Sequence, residues 1–437
     1  MLRSATAIAV VGVSAIRRAS CLIALVFCAV RVQAQRLTDT TRVLSTGIAG
    51  RLTTSGLESP TYVLSFPVVQ RLVLEAAQSS VDSSRAAELL HSTPVTIRDL
   101  VRLGLIRIDA GRLRINYLVL TADDQRRMYQ VAERFGNSLG RAIRARQDSI
   151  DRLVSSYPRA DLRQQVKFVL IAGMVLNWDG LKLSTELGYR AQPLRFPNGD
   201  SYLVHSNQTG VDLPLAGMYL GSEGWPAQAA TLTTFGDPES FPRARGLPNV
   251  FDPVFESLAP LRESPALYAA TRQQLLTYLS LSVADVGDIM LALRDRELPR
   301  KELSARLNVP ADRLDAALKL LIAIDYVAVK GDTIRARVPV LSVADRELVT
   351  ATLALGRGIL EQWLRENIRG MQQDLGDLSP LRSGLPFNLV FGEVWHYVFG
   401  FATKSLAESG FYVNPRAPGW PYPGYVPAVW ATSLYDF

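Results

Sequence analysis

Twice along this chain, apolar residues recur at helical spacing and then switch to strand-like alternation. Val68, Val69, Leu72, Leu74 and Ala77 mark one helix, Ala86, Leu89 and Leu90 a second, and Thr96 to Leu103 a third. Alternation then takes over at Leu105, Ile106 and Ile108, a turn at Asp109-Ala110-Gly111, and Leu113, Ile115 and Tyr117, which predicts a hairpin. The order returns with a helix from Val286 to Leu293, a short one from Glu302 to Leu307 and a turn at Asn308-Val309-Pro310. Leu314, Ala317, Leu318 and Leu321 mark the third helix, and Tyr326 to Val329 and Ile334 to Val338 flank Lys330-Gly331-Asp332. Leu100 to Leu120 aligns without a gap on Leu321 to Leu341.

The parallel continues past the hairpins. Thr121 with Asp124, and Ser342 with Asp345, have capping-box spacing and each opens a long helix. Val131, Phe135, Leu139, Ile143, Ile150 and Val154 form one apolar stripe, and Leu348, Leu355, Ile359 and Trp363 the other. Such stripes must be buried, and each half supplies a partner for the other. Glu186-Leu187-Gly188-Tyr189 before Pro193 matches Glu408-Ser409-Gly410-Phe411 before Pro415, a glycine stop at the same place in each half.

These signals divide the chain into a leader at 1–34, a flexible stretch at 35–62 and a first module at 63–195. A Pro/Gly-rich connecting segment at 196–265, a second module at 266–416 and an aromatic, Pro-rich tail at 417–437 follow. The expected fold class is α+β, mainly helical: two tandem winged-helix-like modules with long C-terminal helices, related by a pseudo-twofold. The connecting segment is too long for an idle linker in a compact protein.

Charge changes the picture through the leader. Residues 1–34 carry Arg3, Arg17, Arg18 and Arg31 and no acid, and an apolar run from Cys21 to Val30 precedes Val32-Gln33-Ala34. This is a signal-peptide pattern with cleavage expected after Ala34, so the expected location is outside the cytoplasm, in the periplasm. Four of the 48 Lys and Arg leave with it, so 44 face 41 acids and the net charge falls from +7 to +3. Basicity is then weak support for a nucleic-acid partner. Cys21 and Cys28 leave too, which removes disulfides, thiolate metal sites and thiol nucleophiles. No later segment reaches the ~18 apolar residues of a membrane span.

Asn308 to Leu318, followed by Ile324-Asp325-Tyr326-Val327, resembles winged-helix regulators of the ArsR and MarR type. It is similarly close to the N-terminal dimerisation domain of small-molecule O-methyltransferases, which uses the fold for pairing. In the first module Leu100 to Ile106 fits, and the second helix is shortened at His91-Ser92-Thr93. The resemblance implies a third helix and a wing that bind DNA in the regulators. The residues that would do so are Arg98, Arg102, Arg107, Arg112 and Arg114, with Lys319, Lys330, Arg335 and Arg337. Interleaved acids (Asp99, Asp109, Asp312, Asp315, Asp325 and Asp332) weaken that reading.

Enzymatic chemistry has little material. No Gly-rich loop follows a strand-like run, which argues against methyl transfer. His91, His205 and His396 are the only histidines. Glu393 and His396 share a helical face, but a metal site needs more ligands. Ser201, His205 and Asp212 lack a nucleophile elbow. Trp178, after an apolar helix, suits either a ligand surface or a core plug. The sequence therefore supports a non-enzymatic exported binding or scaffold protein with no catalytic residue, metal or cofactor. Its partner would be a protein or small ligand at the inter-module crevice, with Trp178, Trp225, Trp420 and Tyr422 as candidate surface residues. The alternative is a DNA-binding regulator, cytoplasmic or membrane-tethered.

Overall fold

A computed structural model describes residues 43–236 and 285–434, apart from 53, 55, 80, 197–198, 216–220 and 228. The expected signal peptide with its cleavage point lies outside the described residues, as does the stretch 237–284.

The first half opens on β1 (Leu44–Arg51), α1 (Pro60–Val63), α2 (Pro67–Gln78), β2 (Val81–Asp82), α3 (Ser83–Leu90) and α4 (Ile97–Arg102). β3 (Ile106–Asp109), β4 (Arg112–Ile115) and β5 (Leu118–Leu120) lead into α5 (Ala122–Arg144) and α6 (Gln147–Val154). α7 (Arg163–Phe168) continues through a π-helical run (Val169–Asp179) into α8 (Gly180–Glu186), then β6 (Leu194–Arg195) and β7 (Ser201–Gln208). The remainder comprises β8 (Gly221–Ala227), β9 (Ala230–Gly236), α9 (285–292), β10 (Leu298–Pro299), α10 (Arg300–Leu307) and α11 (Ala311–Ala323). It closes with β11 (Val327–Lys330), β12 (Thr333–Ala336), β13 (Val340–Leu341), α12 (Arg346–Asp374), α13 (Ser379–Arg382), α14 (Phe387–Glu408) and β14 (Tyr425–Ala431). The protein is mixed α and β, with helix predominating and the strands in small sheets.

Elements in the two halves share both order and spacing. The three-stranded sheets run β2-β4-β3 and β10-β12-β11. The larger sheets share an order too: β7 lies between antiparallel β1 and parallel β5, and β14 between antiparallel β9 and parallel β13. Local hydrogen bonds explain why the elements end where they do. Gly104 (φ 69°) and Asp325 (φ 66°) close α4 and α11 in the left-handed region, so Leu105 N–H donates to the Leu100 carbonyl (2.9 Å) and Tyr326 N–H to Leu321 (2.8 Å). Gly188 (φ 76°) and Gly410 (φ 72°) close α8 and α14 in the same way, with Tyr189 and Phe411 donating to Ser184 and Leu406. Capping boxes at Thr121–Asp124 and Ser342–Asp345 open the two long helical stretches.

The halves meet by exchanging helices. α5 packs most extensively on α14, and α12 on the π-helical run. The striped residues Val131, Leu139, Ile143, Leu348 and Trp363 all lie in one buried core with Phe391, Trp395 and Phe401. Gly136 and Gly140 on α5 let α14 approach closely: a Cβ at Gly136 would fall 2.6 Å from the Val398 carbonyl oxygen. Polar links cross in both directions. Tyr157 OH donates to the Val340 carbonyl (3.1 Å), and Ser379 N–H donates to Asp124 (2.7 Å). Each half also keeps a core of its own, around α2–α4 and β1 in the first and α9–α11 and β14 in the second.

Lys167 is buried to 1% exposure, its Nζ 2.6 Å from Asp151 and 3.6 Å above the Phe411 ring. Burial holds its ammonium below the usual lysine value, with Asp151 partly offsetting it. The unfolded chain therefore binds this proton more readily, and the residue's contribution to stability rises with pH up to the ordinary value of 10.5. Lys167→Met, of similar volume, is expected to leave folding stability unchanged or raise it by about 1 kcal/mol in urea titrations. A loss above about 2 kcal/mol would show that the ion pair holds the site together.

Several expectations need correcting. The stretch 35–62 is not wholly an unstructured leader, because Leu44–Arg51 pairs along its length with β7. The connecting segment contains β7, β8 and β9. The tail contains β14, which lies between β13 and β9 and is buried throughout, so it is core and not an appendage. The stripe from Val131 to Val154 spans two helices, since Arg146 leaves helical geometry at φ −109° and ψ 17°.

Candidate functional site

Two surfaces follow from the way the third helix and hairpin are built in each half. α4 buries Leu100 and turns Arg98, Val101 and Arg102 outward; α11 buries Leu314, Ala317, Leu318 and Leu321 and turns Asp312, Ala316, Lys319 and Ile322 outward. The hairpin tips of both halves project into solvent. As a result, large apolar side chains stand exposed at matched positions. Val101 is 42% exposed and Ile322 46%; on the hairpins Ile108 is 51% and Val329 37%. Among the described residues only Tyr62, Leu194 and Val343 are comparable.

The cationic candidates divide unevenly. Arg102 is engaged by Glu58, Asp99 and the Leu57 carbonyl. Arg335 pairs with Asp161 at 2.6 Å and Arg337 with Asp325 at 2.5 Å. Arg98, Arg107 and Arg114 are exposed and form no ion pair among the described residues, and the same holds for Lys319 and Lys330. Arg107 lies directly across the ladder from Arg114, and Arg112 across from Asp109.

A polar cluster bridges the halves beneath the first sheet. β7 supplies His205 and Asn207, and α14 supplies Glu393 and His396 one turn apart. Glu393, 15% exposed, accepts from Asn207 Nδ2 at 3.2 Å and lies 3.9 Å from His205 Nε2. His396 Nδ1–H donates to the Gly392 carbonyl at 2.7 Å. Gly47 on β1 leaves room for the His205 ring, since a Cβ there would sit 2.2 Å from Nε2. Burial alone would raise the Glu393 carboxyl, but His205, His396 and the Asn207 amide outweigh it and hold it below the usual value. Burial also lowers His396, and Glu393 only partly offsets this.

Linkage gives the sign of the pH effect. His396 in the folded protein binds its proton less readily than the unfolded chain, so its contribution is lost as pH falls below the ordinary 6.5. Glu393 follows below 4.5. We expect urea stability to fall between pH 7.5 and 5.5, and His396→Gln to flatten that decline; an unchanged slope would count against the assignment.

No protein-family model, curated protein or solved structure matches this chain. What it does must be read from these residues.

Among the described residues, no group of three or more His, Cys, Asp or Glu is disposed to hold a metal ion. No described helix is long and apolar enough to cross a membrane. His205 reaches across the halves to Glu393, an acid 188 positions away, which no local spacing signals. Of the aromatic candidates, Tyr422 is fully buried and donates to the Asp325 carbonyl. Trp420 donates to the Tyr425 carbonyl and packs on the core. Trp178 donates to Ser222 at 2.8 Å and packs on Phe235. Tyr422 is therefore interior, whereas Trp178 and Trp420 are half-buried with their indole N–H groups already engaged, which speaks against the expected recognition surface. Trp225 lies in β8, and its side chain is outside the described residues. The crevice expected between halves is a packed seam, because the exchanged helices fill it with Phe135, Trp363, Trp395 and Phe401.

Proposed function

We propose that the chain is a non-enzymatic, exported binding or scaffold protein, built from two winged-helix-like modules fused as a pseudo-dimer. Its recognition surfaces are the third helix and hairpin of each half. The observation that carries this reading is the matched set Val101 with Ile322 and Ile108 with Val329. Exposure of large apolar groups at equivalent places in both halves is what supports reading these elements as contact surfaces. Equal spacing of the hairpins, capping boxes and glycine stops supports the duplication. Burial of the exchanged stripes supports the pseudo-twofold.

A photo-cross-linking residue placed at position 101, or at 322, in producing cells tests the reading. Protein adducts are expected from both, and none from an exposed position such as 365 on α12. Failure to form adducts at either face would overturn it. A fusion of residues 1–40 to a reporter active only outside the cytoplasm tests export.

Exposed Arg98, Arg107 and Arg114 favour a second reading as a DNA-binding regulator. That reading predicts a gel shift whose affinity falls steeply with salt and is lost when Arg112, Arg114, Arg335 and Arg337 become Ala. Arg335 and Arg337 already hold Asp161 and Asp325, which speaks against it.

A further inference from the structure

The two faces carry the same apolar anchors but different charge. On the second half, Arg313 chelates Asp285 with contacts of 2.7 and 3.0 Å, and Arg335 and Arg337 are held by Asp161 and Asp325. Lys319 and Lys330 remain there, with Asp312 and Asp332 exposed among them. On the first half, Arg98, Arg107 and Arg114 stand exposed without an acid partner among the described residues. Arg107 and Arg114 also face one another across the β3–β4 ladder, where like charges destabilise a hairpin unless an anion lies between them. The corresponding pair in the second half is Ala328 opposite Arg335, which removes the repulsion.

We infer that the first half's third-helix and hairpin face docks an acidic protein segment with apolar side chains, whereas the second half's face takes an uncharged one. This rests on the proposed reading of the faces as contact surfaces. Charge complementarity identifies the occupant: three guanidinium groups without an acid partner among the described residues lie on α4 and the hairpin, the elements that also carry exposed Val101 and Ile108, and match carboxylates spaced among apolar anchors. A nucleic acid fits less well. Phosphates would leave Val101 and Ile108 facing a polar backbone. Arg102, at the C-terminal end of α4, is already bound to Glu58 and Asp99. On the opposite face the cations without an ion pair among the described residues are Lys319 and Lys330, and they stand among exposed Asp312 and Asp332, which suits a twofold grip on a duplex poorly.

The probe is a fluorescein-labelled peptide of alternating Glu and Leu, titrated against the full chain by anisotropy, with a 20-base-pair DNA duplex as competitor. Saturable peptide binding is expected, weakened at least about tenfold by Arg107→Glu with Arg114→Glu, and separately by Val101→Ser. Ile322→Ser should leave it unchanged. A matched Ser-Leu peptide should bind the charge-reversed variant as well as the wild type. If Val101→Ser weakens binding while charge reversal does not, the acidic partner is ruled out and the apolar face stands. If neither substitution matters, the reading of the face fails as well. Displacement by duplex DNA at lower concentration than by unlabelled peptide would assign the arginines to nucleic acid.

Discussion

Replacing Gly136 with valine is expected to lower folding stability by about 3 kcal/mol, read as a drop in urea midpoint with little change in slope. Gly136 is where α14 crosses α5. A Cβ there would sit 2.4 Å from the Phe401 Cβ, 2.6 Å from the Val398 carbonyl oxygen and 3.1 Å from the Ala402 nitrogen. Two of the three obstacles are backbone atoms of a well-packed helix, so no rotamer change relieves the clash. α14 would have to move outward, reducing the seam along which the halves exchange helices. Gly358 on α12 is the control. It is exposed with nothing within 4 Å of a Cβ, so Gly358→Ala should stabilise by about 0.5–1 kcal/mol through helix propensity alone. Equal effects at both positions would show that close approach at Gly136 is unimportant.

Trp395→Ala is expected to cost more, about 3–5 kcal/mol. Its indole is fully buried, donates Nε1–H to the Leu176 carbonyl at 2.9 Å, and stacks on Phe391 at 5.9 Å between centroids. Its ring also faces Gly180, where a Cβ would fall 2.7 Å away, so glycine makes room for tryptophan across the halves. Alanine would leave a cavity in the seam and an indole-sized loss of apolar contact. Trp395→Phe keeps much of the volume and loses the hydrogen bond, so a loss nearer 1–2 kcal/mol is expected. If the alanine variant lost under 2 kcal/mol in thermal or urea unfolding, the two halves would not depend on this contact.

Much of this architecture could be read from local chemistry. Gly104, Gly188 and Gly410 stop helices because positive φ suits them, and Thr121 and Ser342 start helices through acids three residues on. Such signals act over a few residues, so spacing alone placed the hairpins within a residue or two. The larger sheets were hidden for the opposite reason. Gly47 and Gly50 in β1, Gly224 and Pro226 in β8, and Pro427 in β14 are residues that ordinarily argue against strands, and β1 and β14 pair with strands far away in sequence. The π-helical run gave no periodicity, because it is apolar on every side. The candidate site was legible only in part. Hairpin arginines stood out as a local excess, but whether an arginine is spoken for depends on remote acids such as Asp161 for Arg335. The exposure of Val101 and Ile322 depends on which helix face the rest of the fold covers.

Helix exchange also governs how the chain matures as it is made. When the π-helical run Val169–Asp179 leaves the ribosome, its clasp, α12, lies more than 160 residues downstream and has not yet been synthesised. The nascent first half carries this apolar run without α12 over it until that helix has been made, an interval in which exposed apolar surface favours aggregation.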